Sequence, residues 1–472
     1  MEQSVSIAPL VSFRIVFGLL MLFSTLRYMY MGWVDTQLVD PILHFSYYGF
    51  DWVEPMGRTG MYAIFVFMAL ASLAIALGCF YRFFVVGFFL SFTYVELIDI
   101  TYYLNHYYFV SIISFLLIWV PANRYFSIDA IRRPQIRQAQ VSRWCIDIFK
   151  LQIAIVYIYA GLAKINYDWL FRALPLAIWL PAKTSIPVIG WIFKFKITAY
   201  LFSWAGMLFD TFIIGGLLFK KTRLLAYSAV VVFHAMTGIL FQIGIFPLVM
   251  IGVVTIFFSP EWHERLHTNL QRLYSSSKSR RRLYGLSGRR VEPNVPPSCR
   301  VELYGSPSRR AQLYGPPRRS HTATLALSAF VFFQLLFPWR YLAYDGNLFW
   351  TEEGYRFSWR VMLMEKAGTA TFYVKNGEDG REGSVINHQF LNPHQEKQMA
   401  MQPDLILQFA HYLKDHYQEK GMDDPSVRAE VWVTLNSRPA ELLIDPEADL
   451  TQYRDSWSSK DWILPYNAQK SR

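Results

Sequence analysis

At 472 residues, 53% of them hydrophobic and only 17% charged, the chain is too apolar for a soluble protein of its size. Its net charge of +11 does not point to nucleic acid, because Lys and Arg gather in a few connecting loops, the charge bias of a polytopic membrane protein. The three cysteines, Cys79, Cys145 and Cys299, show no CxxC spacing and suggest neither a disulfide framework nor a metal site.

The N-terminal MEQSVSIAPLVSF has no basic n-region and no small-residue cleavage site, so the first apolar run is expected to stay as a helix. Apolar runs of membrane-crossing length fall at 9–32, 59–80, 83–100, 107–121, 144–163, 197–219, 224–241, 243–258 and 321–343. The expected fold is a polytopic α-helical membrane protein with nine transmembrane helices and a small C-terminal α+β extramembrane domain. The loop near 33–57 carries Asp35, Asp40, Asp51 and Glu54 without Lys or Arg, whereas 122–143 carries Arg124, Arg132, Arg133, Arg137 and Arg143. The positive-inside rule then puts the N-terminus inside and the C-terminal segment outside.

With that topology, Asn105 and His106, the stretch Lys164 to Trp169, and the turn after His234 all open on the outer side, where three polar groups converge. The run 170–196 is broken by Pro175, Pro181 and Pro187, which suits a re-entrant or interfacial segment over the site. Residues 265–320 turn rich in Arg, Ser, Pro and Gly with LYG near-repeats at 283, 303 and 313, the composition of a disordered basic insertion on the cytoplasmic side. Beyond 345, alternating runs at 370–376 and 427–436 flank a helical pattern at 395–420, as in a small α+β domain.

The chemistry concentrates at Lys164, where the apolar run Ile153 to Ala163 ends. Two readings stand at this point. A lysine at a helix end commonly snorkels to the headgroups; held instead in a partly dry pocket, it loses basicity and becomes a usable base.

Several motifs, LGCFYR (77–82), NHYYF (105–109), ANRYFSID (122–129), AGLAKINYDW (160–169), FHAMTGILFQIGIF (233–246), SPEW (259–262) and GYRFSW (354–359), resemble in order and spacing those of the vitamin K-dependent gamma-glutamyl carboxylase family. That family includes the bacterial horizontally transferred transmembrane domain. The resemblance implies a membrane enzyme that uses reduced vitamin K, menaquinol or a related hydroquinone, with O2 and CO2 as co-substrates and no metal. It oxidises the quinol to its epoxide and carboxylates glutamate in a protein or peptide substrate. In the family the lysine matched by Lys164 deprotonates the hydroquinone, O2 adds to the anion, and the product alkoxide removes the gamma proton of Glu before the carbanion attacks CO2. His106 matches a histidine expected to hydrogen-bond an oxyanion or the glutamate carboxylate. His234, Asn105, Asp168 and Trp169 are expected to support them, and Tyr355 and Trp359 to border the way in for glutamate. An Asp fully paired with Lys164 is expected to spoil it as a base.

The animal enzymes carry two successive lysines where this chain has Ala163 and Lys164, a longer extramembrane region with a propeptide surface, and a disulfide with no counterpart here. The resemblance is therefore to a bacterial-type member, in a bacterial inner membrane with its active face and C-terminal domain outside. The implied division is a transmembrane catalytic domain (1–264), the insertion (265–320), a last transmembrane helix (321–344) and the extracytoplasmic domain (345–472). Two alternatives stay open on the sequence: a quinol epoxidase without peptidyl-glutamate carboxylation, and a non-enzymatic membrane binding or transport protein. Expected partners are membrane lipid, quinone and a glutamate-containing chain, with no nucleic acid.

Overall fold

Proline opens the first helix and a left-handed glycine closes the second, each at the helix end that suits it. α1 (Ala8–Tyr30) carries Pro9 in its first turn, and α2 (Arg58–Leu77) stops at Gly78, whose φ is +62°. The two cross closely at Gly18, where an added Cβ would lie 2.6 Å from the Ala76 nitrogen. The structure, a computed structural model, describes residues 3–241, 243–270, 272 and 321–467. The basic insertion beyond Arg272, with its LYG repeats and Cys299, lies outside the described residues.

The bundle continues with α3 (Tyr81–Leu97), α4 (Asn105–Trp119), α5 (Trp144–Ala163), α6 (Lys196–Leu218), α7 (Arg223–Phe241), α8 (Phe246–Val254), α9 (Pro260–Leu270) and α10 (His321–Leu336). Among the described residues six helices are long and apolar enough to cross a membrane, or seven if α8 and α9 form one broken span. The count of nine crossings expected from the sequence is thus not confirmed. At 17 and 15 residues α3 and α4 are only about 26 and 22 Å long. In the run expected to cross at 243–258 the helix covers only Phe246–Phe257, and a 113° bend separates it from α9.

At one end of the bundle, β1 (Ser4–Ser6) pairs antiparallel with β2 (Gln140–Ser142). There His263 Nδ1 and His267 Nε2 both stand 2.9 Å from Ser12 Oγ, which ties α9 to α1. The HERLH spacing matches a helical zinc motif, but both rings converge on this one hydroxyl.

The C-terminal domain sits at the opposite end. Its antiparallel sheet has the order β4-β3-β5-β6, from β3 (Lys366–Lys375), β4 (Glu382–Ser384), β5 (Ser426–Leu435) and β6 (Glu441–Leu442). Alternation buries Val427, Ala429, Val431 and Val433 against α11 (Pro403–Glu419), which turns Leu405, Phe409 and Leu413 inward. The strands and helix expected here are present. Polar contacts dock the domain: Gln395 Nε2 donates to Asp99 at 2.7 Å, and the Ser46 amide donates to Gln408 Oε1 at 3.0 Å. The loops near 46, 99 and 168 therefore share one end of the bundle with this domain.

The proline-broken stretch forms short pieces, Tyr167–Phe171, Leu176–Trp179, Leu180–Lys183 and Gly190–Lys194, as its breakers require. Leu170, Ala173, Leu176 and Phe193 pack with Ala199 and Met207 of α6, while Val188, Trp191 and Phe195 stay exposed. An apolar exposed edge of this kind suits a membrane interface.

Candidate functional site

Lys164 ends α5, and its side chain folds back instead of reaching outward. Nζ donates to the Ala160 carbonyl at 3.2 Å and lies 2.8 Å from Asp210 Oδ2, with both residues buried at 6% and 5% exposure. Lys164 is thus paired with an aspartate, though not with its neighbour Asp168: the partner is Asp210, which the sequence motifs do not single out. A signal for it is present in the sequence: Asp210 is the lone acid in the apolar run FSWAGMLFDTFIIGG, and a lone intramembrane carboxylate is a candidate for a functional group. Glycine makes the pair possible. A Cβ on Gly161 would fall 2.7 Å from the Thr211 nitrogen, so only glycine lets α5 and α6 come close enough here.

The turn after the lysine is locked by its own side chains. Asn166 accepts from the Trp169 amide at 2.9 Å and donates to the Ala163 carbonyl at 3.0 Å. This brings the Trp169 ring, whose Nε1 donates to the Ser203 carbonyl at 2.7 Å, to 5.3 Å from Lys164 Nζ. Asp168 points away from the lysine. Its carboxylate receives Arg438 at 2.6 and 2.7 Å and Asn436 Nδ2 at 2.8 Å. Burial pushes this carboxyl up, but the hydrogen bonds and charge of Arg438, with Asn436, outweigh burial and hold it below its ordinary value. Asp168 is thus a tie to the C-terminal domain, while Trp169 is a wall of the lysine cavity.

That cavity measures about 300 Å3 and is lined by Lys164, Asp210, Trp169, His234 and mainly apolar side chains such as Leu176, Leu240 and Phe246. Leu201, another wall residue, is 62% exposed on the bundle surface, so the cavity reaches the lipid-facing side. His234 Nε2 is held 2.8 Å from the Tyr157 hydroxyl, and its buried Nδ1 has no hydrogen-bond partner among the described residues.

His106 and Asn105 line a second, larger space, a polar cleft of about 1020 Å3 between the bundle and the C-terminal domain. Asn105 Nδ2 donates to the Arg360 carbonyl at 2.8 Å and positions the start of α4. The cleft and the cavity share Ile243, Phe246, Val361 and Met362 as walls. Phe246 stands between the histidines, its ring centroid 5.6 Å from His106 and 5.8 Å from His234. The three polar groups expected to converge thus divide between adjoining spaces. Arg27, Arg360 and Lys397 line the cleft without a carboxylate partner among the described residues, so it favours an anion. Tyr355 lines it too. Trp359 does not: at 1% exposure it is a core residue stacked 5.0 Å from Tyr108.

Two family models match the chain, the HTTM domain over residues 2–262 and the lumenal domain of vitamin K-dependent gamma-carboxylase over residues 319–469. No solved structure matches it.

Proposed function

The chain belongs to the vitamin K-dependent gamma-carboxylase family, and from that membership we propose that it couples O2-dependent epoxidation of a reduced naphthoquinone to gamma-carboxylation of glutamate in a peptide or protein. The observation that carries this reading is the buried Lys164–Asp210 pair in an apolar cavity that reaches lipid and adjoins a cation-lined cleft. We further assign the cleft side to the outer face of a bacterial inner membrane.

The cavity fits a quinol. Its volume is at the lower end of the ~300–1,000 Å3 range of small-molecule sites, its walls suit a flat ring, and His234 Nδ1 is a buried polar atom in need of a partner. When bound, the reduced quinone supplies the electrons for O2 reduction and, through its oxidation, the strong base needed at the glutamate gamma carbon.

The chain's own residues hold and move protons. A lysine that is protonated and paired with Asp210 has no lone pair for a phenol. In the neutral form of the pair Asp210 carries the proton and the amine is open; net charge is zero in both forms, so an apolar cavity tolerates either. Lys164 in that form would be the group that takes the phenolic proton, and the ammonium it becomes would supply a positive charge beside the ring. Tyr157 fixes the His234 ring, Phe246 and the other walls exclude water, and His106 in the cleft donates to the glutamate carboxylate.

The test is epoxide formation from reduced vitamin K by purified protein, with a Glu-containing peptide and labelled bicarbonate. Wild type yields both epoxide and fixed label, and Lys164→Ala loses both by about 10²–10⁴-fold. Epoxide without label leaves only the epoxidase reading. Neither product from a folded wild type removes the proposal.

A further inference from the structure

Glu96 lies in the last turn of α3, and the proposed carboxylation makes no use of it. Its carboxylate accepts a short hydrogen bond from Ser111 Oγ, while no Lys, Arg or His among the described residues forms an ion pair with it. A carboxylate enclosed by membrane helices with one hydroxyl donor is under-compensated.

Glu96 opens onto a cavity of about 350 Å3 between α3, α4 and α10, separate from the lysine cavity. The inner part is aromatic. Tyr47, Tyr103 and Tyr108 surround Phe357 with ring centroids 5.9, 4.8 and 4.9 Å from it. Towards the periphery Phe115 meets Phe330 at 5.6 Å, and Phe333 is 47% exposed on α10, so this space opens sideways into the region of lipid. A buried carboxyl with no basic partner among the described residues, aromatic faces beside it and an apolar outlet suit an amphiphile whose ammonium head would pair with that carboxyl as the carboxylate. A carboxylate that accepts hydrogen bonds favours a primary ammonium, which has N–H groups, over a quaternary one.

We propose that this cavity binds the primary-ammonium headgroup of a membrane aminolipid, with its N–H groups on Glu96, its charge against the tyrosine faces and its acyl chains leaving past Phe333. The site does not depend on the carboxylase reading.

Native mass spectrometry of the full chain, released from an equal mixture of ethanolamine-, choline- and glycerol-headed phospholipids with the same acyl chains, tests it. Wild type retains the ethanolamine-headed lipid roughly tenfold over the other two, and Glu96→Gln, similar in shape but uncharged, retains all three alike. Ile112→Phe, which fills the cavity and leaves Glu96 in place, abolishes the preference as well. Equal retention by wild type overturns the proposal whether or not the variants fold, and so does a preference that survives Glu96→Gln.

Discussion

The lysine cavity and the polar cleft share four side chains of wall yet differ in how they treat charge. The charged groups lining the cavity are one lysine and one aspartate, 2.8 Å apart. The cleft is lined by Arg27, Arg356, Arg360, Lys366 and Lys397 against Glu352 and Glu365. A site with one zero-sum pair can pass a proton without a large solvation cost, whereas a site rich in cations can hold an anion but would fix a proton elsewhere. Under the proposed function, the fold would keep a place for proton transfer from lipid-borne quinol apart from a place for a charged peptide side chain, with Phe246 between them.

The sharpest way to break this contrast is at the pair. Asp210→Asn removes both the proton holder and the counter-charge, so epoxide and fixed label are expected to fall together by about 10²–10⁴-fold. Removing one partner of a buried pair also costs about 3–5 kcal/mol of stability, so thermal unfolding is measured alongside. Asp210→Glu, which keeps the carboxyl, recovers part of the rate. A faster Asp210→Asn enzyme would mean that the pairing only restrains Lys164, as the sequence alone suggested.

His106→Ala tests the other side. It is expected to lower label fixation about 10- to 100-fold, the worth of a hydrogen bond to a charged group, with epoxide formation little changed. Equal losses of both products would place His106 in the cavity's chemistry and erase the distinction between the two spaces.

Why the sequence showed some of this and not the rest follows from the range of each signal. Lys164, its flanking Asn166 and Trp169, and the alternating strand at 427–435 are local patterns, and the structure has them as local features. Asp210 is 46 residues from its partner, and only the approach at Gly161 joins them. Trp359 was misplaced for a related reason. Its motif neighbour Tyr355 faces the cleft, but a left-handed backbone at Phe357 and Trp359, with φ of +57° and +59°, sends the tryptophan into the core beside Tyr108. The count of nine spans is not confirmed, because helices such as α4 and α8 are too short for a full crossing by length alone.

The smallest effect belongs to the tie between the two parts. Asp168 is held below its ordinary pKa, chiefly by Arg438 acting against burial, so its contribution is full above the unfolded value of about 3.9 and fades as pH falls through the lower folded value. Wild type should therefore exceed Asp168→Asn in stability by about 1 kcal/mol at pH 7, and the gap should close below about pH 4. Thermal unfolding of both proteins from pH 7 to pH 3 measures it. Arg438→Gln should lose the same increment with the same pH dependence, since either change leaves one half of a single bidentate contact. A gap that stays constant with pH would show that Asp168 acts through shape and not through charge. The domain would then be held mainly by neutral contacts such as Ser46 with Gln408, and the cleft would keep its geometry in acid.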